Sequence, residues 1–87
     1  MHYVYLLFSE KDRGLYVGCT RDLKRRFDEH KKGMSKSTKH RTPLRLIHYE
    51  AFTEARDARA REKYLKSGYG RVQLKSQLKG LFAKLGL

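Results

Sequence analysis

Tyr5, Tyr16, Arg26, His30 and Glu62 are the side chains of this 87-residue sequence whose types and spacing could do chemistry on a phosphate. Arg26 and His30 are an i, i+4 pair, so on a helix they project from one face, a step round from the apolar pair Leu23 and Phe27. A guanidinium held there can clamp a phosphate through two parallel hydrogen bonds. The competing reading makes both residues part of a solvated basic face with Lys24, Arg25, Lys31 and Lys32. Glu62 falls in the series Ala55, Ala58, Glu62, Leu65, the inward stripe of a helix. An unpaired carboxylate there would be costly, so it needs a partner. Two partners are open: Lys66 at i+4, as in an ordinary surface pair, or a hard divalent metal. Mg²⁺ often takes one or two protein carboxylates and fills its shell with water and substrate phosphate. Tyr3 and Tyr5 share one face of a strand by its period of two. Whether Tyr16 joins them depends on strand register, and half-buried packing accounts for Tyr3 equally well.

These residues need elements to position them. Residues 3–8, Tyr-Val-Tyr-Leu-Leu-Phe, are apolar without alternation and rich in β-formers, which predicts a strand buried on both faces and central in its sheet. A polar turn closed by Gly14 leads to a second strand over residues 15–19, completing a hairpin. Gly18 is expected to let the chain turn from that strand into a helix. Thr20 is the expected N-cap of a helix from about Arg21 to Lys32, with Asp22 in its first turn and Gly33 after it. A polar basic loop follows, then a third strand over residues 44–52. Thr53 should cap a second helix running to about Ser67 and ended by Gly68. Residues 71–85 form a third helix with the stripe Val72, Leu74, Leu78, Leu81, Phe82 and Leu85. The order β-β-α-β-α-α predicts an α/β (α+β) fold: one domain over residues 1–87, with a small three-stranded, at least partly antiparallel sheet flanked by three helices.

The bulk composition narrows the partners. Twenty-one Lys and Arg against nine Asp and Glu give a net charge of +12, spread over both halves of the chain. Such a field favours polyanions, nucleic acid before acidic membranes. A membrane surface would need the apolar face of the third helix, which the small core requires. Lys36, Lys39, Arg41 and Arg45, with His40 and the helical Lys24 and Arg25, are the candidates to track a nucleic-acid backbone, contacts that add affinity without reading sequence. The single cysteine, Cys19, permits no internal disulfide and no cysteine zinc cluster. The apolar opening is too short for a signal peptide or a membrane span, so a cytoplasmic location is expected.

Tyr-Val-Tyr at 3–5, Tyr-Val-Gly at 16–18, Arg26 ten residues after Tyr16, His30, Glu62 and the segment Arg-Glu-Lys-Tyr-Leu-Lys-Ser-Gly-Tyr-Gly-Arg at 61–71 together resemble the GIY-YIG nuclease family. The chain looks like the small single-domain prokaryotic members, related to the N-terminal nuclease domain of the bacterial excision-repair endonuclease. It departs from the family name at Tyr3, in place of glycine, and in having valine for both isoleucines. Cys19 stands where the repair enzyme tends to carry a basic residue, so one candidate phosphate contact is missing. The resemblance implies phosphodiester hydrolysis with one Mg²⁺ or Mn²⁺ ion on Glu62 as its sole protein ligand. It makes Tyr16 the contact, or general base, for the attacking water. Arg26 would stabilise phosphoryl charge, and Tyr5 and His30 would orient or shuttle. The expected function is a metal-dependent DNA endonuclease acting on duplex or branched substrates in repair or recombination, with RNA as a further candidate. The alternative is a non-catalytic DNA- or RNA-binding module on the same fold.

Overall fold

The computed structural model describes residues 1–87. Strands β1 (His2–Ser9), β2 (Leu15–Thr20) and β3 (Leu44–Phe52) form an antiparallel sheet in the order β2-β1-β3, so the continuous apolar run is the central strand. Its two faces have different covers. Val4 and Leu6 join Val17 in a core closed by Ala58 and Leu65 of α2 (Ala55–Leu65), Leu74 of α3 (Gly68–Gln77) and Phe82 of α4 (Lys79–Leu85). Tyr5 and Leu7 pack on the opposite face with Leu44, under Leu23 and Phe27 of α1 (Leu23–Lys31). The fold is therefore α+β in three layers, one helix on one face of the sheet and three on the other. Leu6 and Leu7 are both fully buried, and burial of such a side chain is worth roughly 1.5–3 kcal/mol.

Several element ends differ from the sequence reading. Asp22, not Thr20, caps α1: its carboxylate accepts from the Arg25 backbone N–H at 3.1 Å, while Thr20 ends β2 and its hydroxyl accepts from the Asp22 N–H at 3.2 Å. Two capping residue types, two positions apart, compete here, and the one clear of the sheet ladder takes the role. Glu54 rather than Thr53 precedes α2, with no side-chain cap. Gly68 does not simply end a helix. It opens α3, which Ser67 caps by accepting from the Gly70 N–H at 3.1 Å. The expected helix over residues 71–85 is two helices broken at Leu78, whose φ of −115° and ψ of 40° leave the helical region. Phe82, beyond the bend, packs on the core. Val72 is 72% exposed, outside the stripe assigned to it, because it precedes buried Leu74 by two residues on α3 and so faces away from it. Apolar spacing could not reveal this break, because Leu74, Leu78 and Phe82 keep i, i+4 spacing across it. In the β1–β2 turn the residue with positive φ is Arg13, at 59°, rather than Gly14.

Gly70 sits where α3 crosses the end of α2, and a Cβ there would collide with the Tyr64 carbonyl oxygen. A second tie links the helical layer to the sheet. Glu50 of β3 accepts from Arg61 of α2 at 2.9 and 3.2 Å and lies 2.9 Å from His48 Nε2, while Arg61 also donates to Gln77 of α3 at 3.1 Å.

Candidate active site

Strand register decides the tyrosine question. Tyr5 stands opposite Gly18 and Leu7 opposite Tyr16, which puts both tyrosines on the α1 face with ring centroids 6.3 Å apart. A Cβ at Gly18 would strike the Tyr5 ring and hydroxyl. Gly18 is thus needed for close approach in mid-strand. The expectation that it turns the chain into the helix is corrected: that turn is made beyond it, at Thr20–Asp22. Tyr3 lies on the same face but packs edge-on against Tyr49, with centroids 6.1 Å apart.

α1 brings its basic face over these rings. His30 is 0% exposed. Its Nε2 is 2.9 Å from the Tyr5 hydroxyl and its Nδ1 is 2.6 Å from Thr38 Oγ1. Burial foremost, then the charge of Arg26, holds His30 down at about 4, so the imidazole is neutral at pH 7. One ring nitrogen donates and the other accepts, and the hydroxyls at either end take complementary roles. Burial and the adjacent Tyr16 push the Tyr5 hydroxyl up to about 12 against the pull of Arg26, so it too stays neutral. Neutral groups joined in this way are suited to holding geometry.

Arg26 is fixed at both ends of its guanidinium. It donates to Glu29 Oε1 at 3.0 Å and to Ser35 Oγ at 3.2 Å. Ser35 Oγ lies 3.1 Å from Ser37 Oγ, and Ser37 donates to the Tyr16 hydroxyl at 3.3 Å. A chain of hydroxyls therefore joins the arginine of α1 to the tyrosine of β2. The sequence reading took only cations from the loop Gly33–Pro43 and missed Ser35, Ser37 and Thr38. The signal available was Ser-Lys-Ser-Thr, a cluster of hydroxyls that the flanking lysines obscured.

Glu62 approaches from the other side of the sheet. Its side chain is 24% exposed, and Oε2 accepts from Lys66 Nζ at 3.0 Å. Ala58 and Leu65 of the same stripe are buried, so the stripe faces inward with Glu62 at its rim. Burial first, and then the negative charge of Glu62, pushes the Cys19 thiol up, while Arg59 and Lys66 oppose them. α2 packs against β1 and β2, and Glu62 stands on it between the buried Ala58 and Leu65, with Arg59 and Lys66 on the helical turns either side. No group of three His, Cys, Asp or Glu side chains is assembled anywhere in the chain. The donor set for a metal at Glu62 is a lone carboxylate, which fits a hard ion that keeps its waters and takes oxygens from a phosphate substrate, and does not fit structural zinc.

The proposed backbone-tracking cations are unequal. Lys24, Lys36, Lys39 and His40 are exposed, and Arg25, also exposed, touches Glu29 at 3.3 Å. Arg45 lies 3.8 Å from Glu10. Arg41 is bound two-pronged to Asp12 at 2.7 and 3.2 Å and holds that carboxyl down at about 2, with help from the Gly14 N–H. It ties the loop to the β1–β2 turn.

A sequence model of the GIY-YIG catalytic domain matches residues 1–76. A UPF0213 protein of Clostridium perfringens is 42% identical over 67 residues, covering 76% of this chain and 71% of the relative. One from Haloquadratum walsbyi is 43% identical over 67 residues, covering 76% and 74%. The solution NMR structure of a UPF0213 protein from Bacillus halodurans superposes with a TM-score of 0.56 at 38% identity, covering 88% of this chain and 84% of that one. With its tyrosines, arginine and glutamate standing in this arrangement, the chain belongs to the GIY-YIG family, whose catalytic domain is a nuclease domain.

Proposed function

We propose that this protein is a divalent-metal-dependent endonuclease that hydrolyses phosphodiester bonds in DNA. It would act in the cytoplasm as a single domain over residues 1–87, on duplex or branched DNA in repair or recombination. One observation carries the reading. Tyr5, Tyr16, Arg26 and His30, from three elements, are linked by hydrogen bonds and ring contacts beside β2, and Glu62 stands on α2, which packs against the same strand. In this reading Tyr16, the more accessible tyrosine, contacts the attacking water and acts as, or helps, the general base, a role that requires its phenolate to take the proton. Arg26, already oriented by Glu29 and Ser35, stabilises charge growing on the phosphoryl oxygens at little cost in reorganisation. Tyr5 and His30 hold the ring of Tyr16 in place. A single Mg²⁺ or Mn²⁺ ion on Glu62 would supply charge neutralisation at the phosphate and stabilise the leaving 3′-oxygen. Lys24, Arg25, Lys36, Lys39, His40 and Arg45 would flank the nucleic acid, which could also be RNA.

Cleavage of a supercoiled plasmid and a flapped duplex with Mg²⁺, Mn²⁺ or EDTA tests this. Metal-dependent nicking is expected, and Arg26→Ala, Glu62→Ala and Tyr16→Phe should each lower the rate about 100-fold or more while remaining folded. The pairing of Glu62 with Lys66 favours a second reading, a DNA- or RNA-binding module without catalysis, because it satisfies the carboxylate with no metal. Tight, salt-sensitive binding with no cleavage of any substrate would select that alternative.

A further inference from the structure

Glu62 has a partner that can leave. Lys66 Nζ lies 3.0 Å from Glu62 Oε2 one helical turn along α2, with the lysine side chain 53% exposed and the glutamate 24%. A lysine is a mobile point charge on a four-carbon stem, and an exposed i, i+4 pair of this kind is weak and easily exchanged. A divalent ion on the same carboxylate would repel the ammonium, since the two like charges would stand within a few ångströms. The freed lysine would remain one helical turn from Glu62 on α2, the helix that packs against β1 and β2.

We propose that Lys66 is a phosphate-binding residue of this site that serves as counter-ion to Glu62 until a divalent metal displaces it. The metal takes the carboxylate, and the released ammonium takes a phosphate oxygen of the nucleic acid. The inference rests on the metal-dependent reading of Glu62 above. It gives one side chain two opposed effects: Lys66 weakens metal binding to the free protein and strengthens nucleic-acid binding to the metal-loaded protein.

The test uses the full chain as wild type, Lys66→Gln, Lys63→Gln as a charge-matched neighbour, and Glu62→Gln as the site control. Mn²⁺ affinity is read from the EPR signal of the free aqua ion. Affinity for a short duplex is read by fluorescence anisotropy with and without Ca²⁺, with a gel to confirm that the duplex stays intact. Lys66→Gln should bind Mn²⁺ about two- to fivefold more tightly than wild type, and Lys63→Gln should change it less. Lys66→Gln should also lose several-fold in Ca²⁺-dependent duplex affinity. Gain in one and loss in the other cannot come from misfolding, which would weaken both. If Lys66→Gln matches Lys63→Gln in Mn²⁺ affinity, or keeps the wild-type duplex affinity, the inference fails while a metal at Glu62 stands. If Glu62→Gln binds Mn²⁺ as tightly as wild type, the metal-dependent reading and this inference fall together.

Discussion

At the scale of single residues, His30 shows how burial sets chemical character. A histidine on a helix among lysines and arginines looks like one more surface cation. Folding removes it from water, beside Arg26, and holds it at about 4 against an ordinary value of 6.5. The sign of the resulting pH dependence follows. Above the unfolded value both states are neutral and the stabilisation is complete. Between about 6.5 and about 4 the unfolded chain takes up a proton that the folded protein refuses, so stability falls as pH falls through that window. The loss due to this one group is at most about 3 kcal/mol. Urea midpoints at pH 7.5 and pH 4.5 check it, the first about one pH unit above that window and the second about half a unit inside its lower end, where most of the loss has occurred. His30→Gln should be less stable at neutral pH yet lose less on acidification than wild type. An equal acid loss in the variant would assign the effect to carboxylates instead.

At the scale of elements, the site depends on pieces that meet from distant parts of the chain. β1 supplies Tyr5, β2 supplies Tyr16 and the space above Gly18, α1 supplies Arg26 and His30, and the loop after α1 links them through Ser35, Ser37 and Thr38. Glu62 is carried by α2, whose placement against the sheet depends on Arg61 gripping Glu50. Both side chains of that pair are 20% exposed. Truncating one partner leaves the other half-buried and unpaired, which here should cost about 2 kcal/mol, below the range for fully buried pairs. Glu50→Ala should therefore lower the urea midpoint clearly, and Glu10→Ala, whose partner Arg45 is exposed and 3.8 Å away, should barely move it. Comparable effects from the two substitutions would mean that the Glu50 tie does not secure α2.

At the scale of the molecule, the +12 charge is a property of the folded body, and no helix is long and apolar enough to cross a membrane. Counter-ion release then governs association with nucleic acid, so log K should fall linearly and steeply with log salt. Lys36 and Lys39 project from the loop beside the site with no carboxylate partner in the structure, whereas Arg41 is committed to Asp12. Replacing Lys36 and Lys39 together by Gln should reduce the salt slope by about two, and Arg41→Gln should act mainly on stability. The measurement is duplex affinity across a salt series. An unchanged slope in the double variant would remove the loop from the binding path.

The central strand, the hairpin, the strand–helix order and the residue types proposed for the site were legible in the local pattern of the sequence: an unbroken apolar run, i, i+4 spacing, a carboxylate in an apolar stripe. The sequence reading left the tyrosine register open, missed the hydroxyl chain through Ser35 and Ser37, and was wrong in running one helix through Leu78 with Val72 on its apolar stripe. Those depend on which residues stand opposite one another once the strands pair and the helices close over both faces. Gly18 marks the division. Its presence is plain in the sequence, but its reason is the ring of Tyr5, thirteen residues away along the chain and directly across the strand pair. Glu62 was legible as an anomaly because local spacing shows a charge in an apolar stripe; only packing shows that it stands at the rim of that stripe with Lys66 on its oxygen.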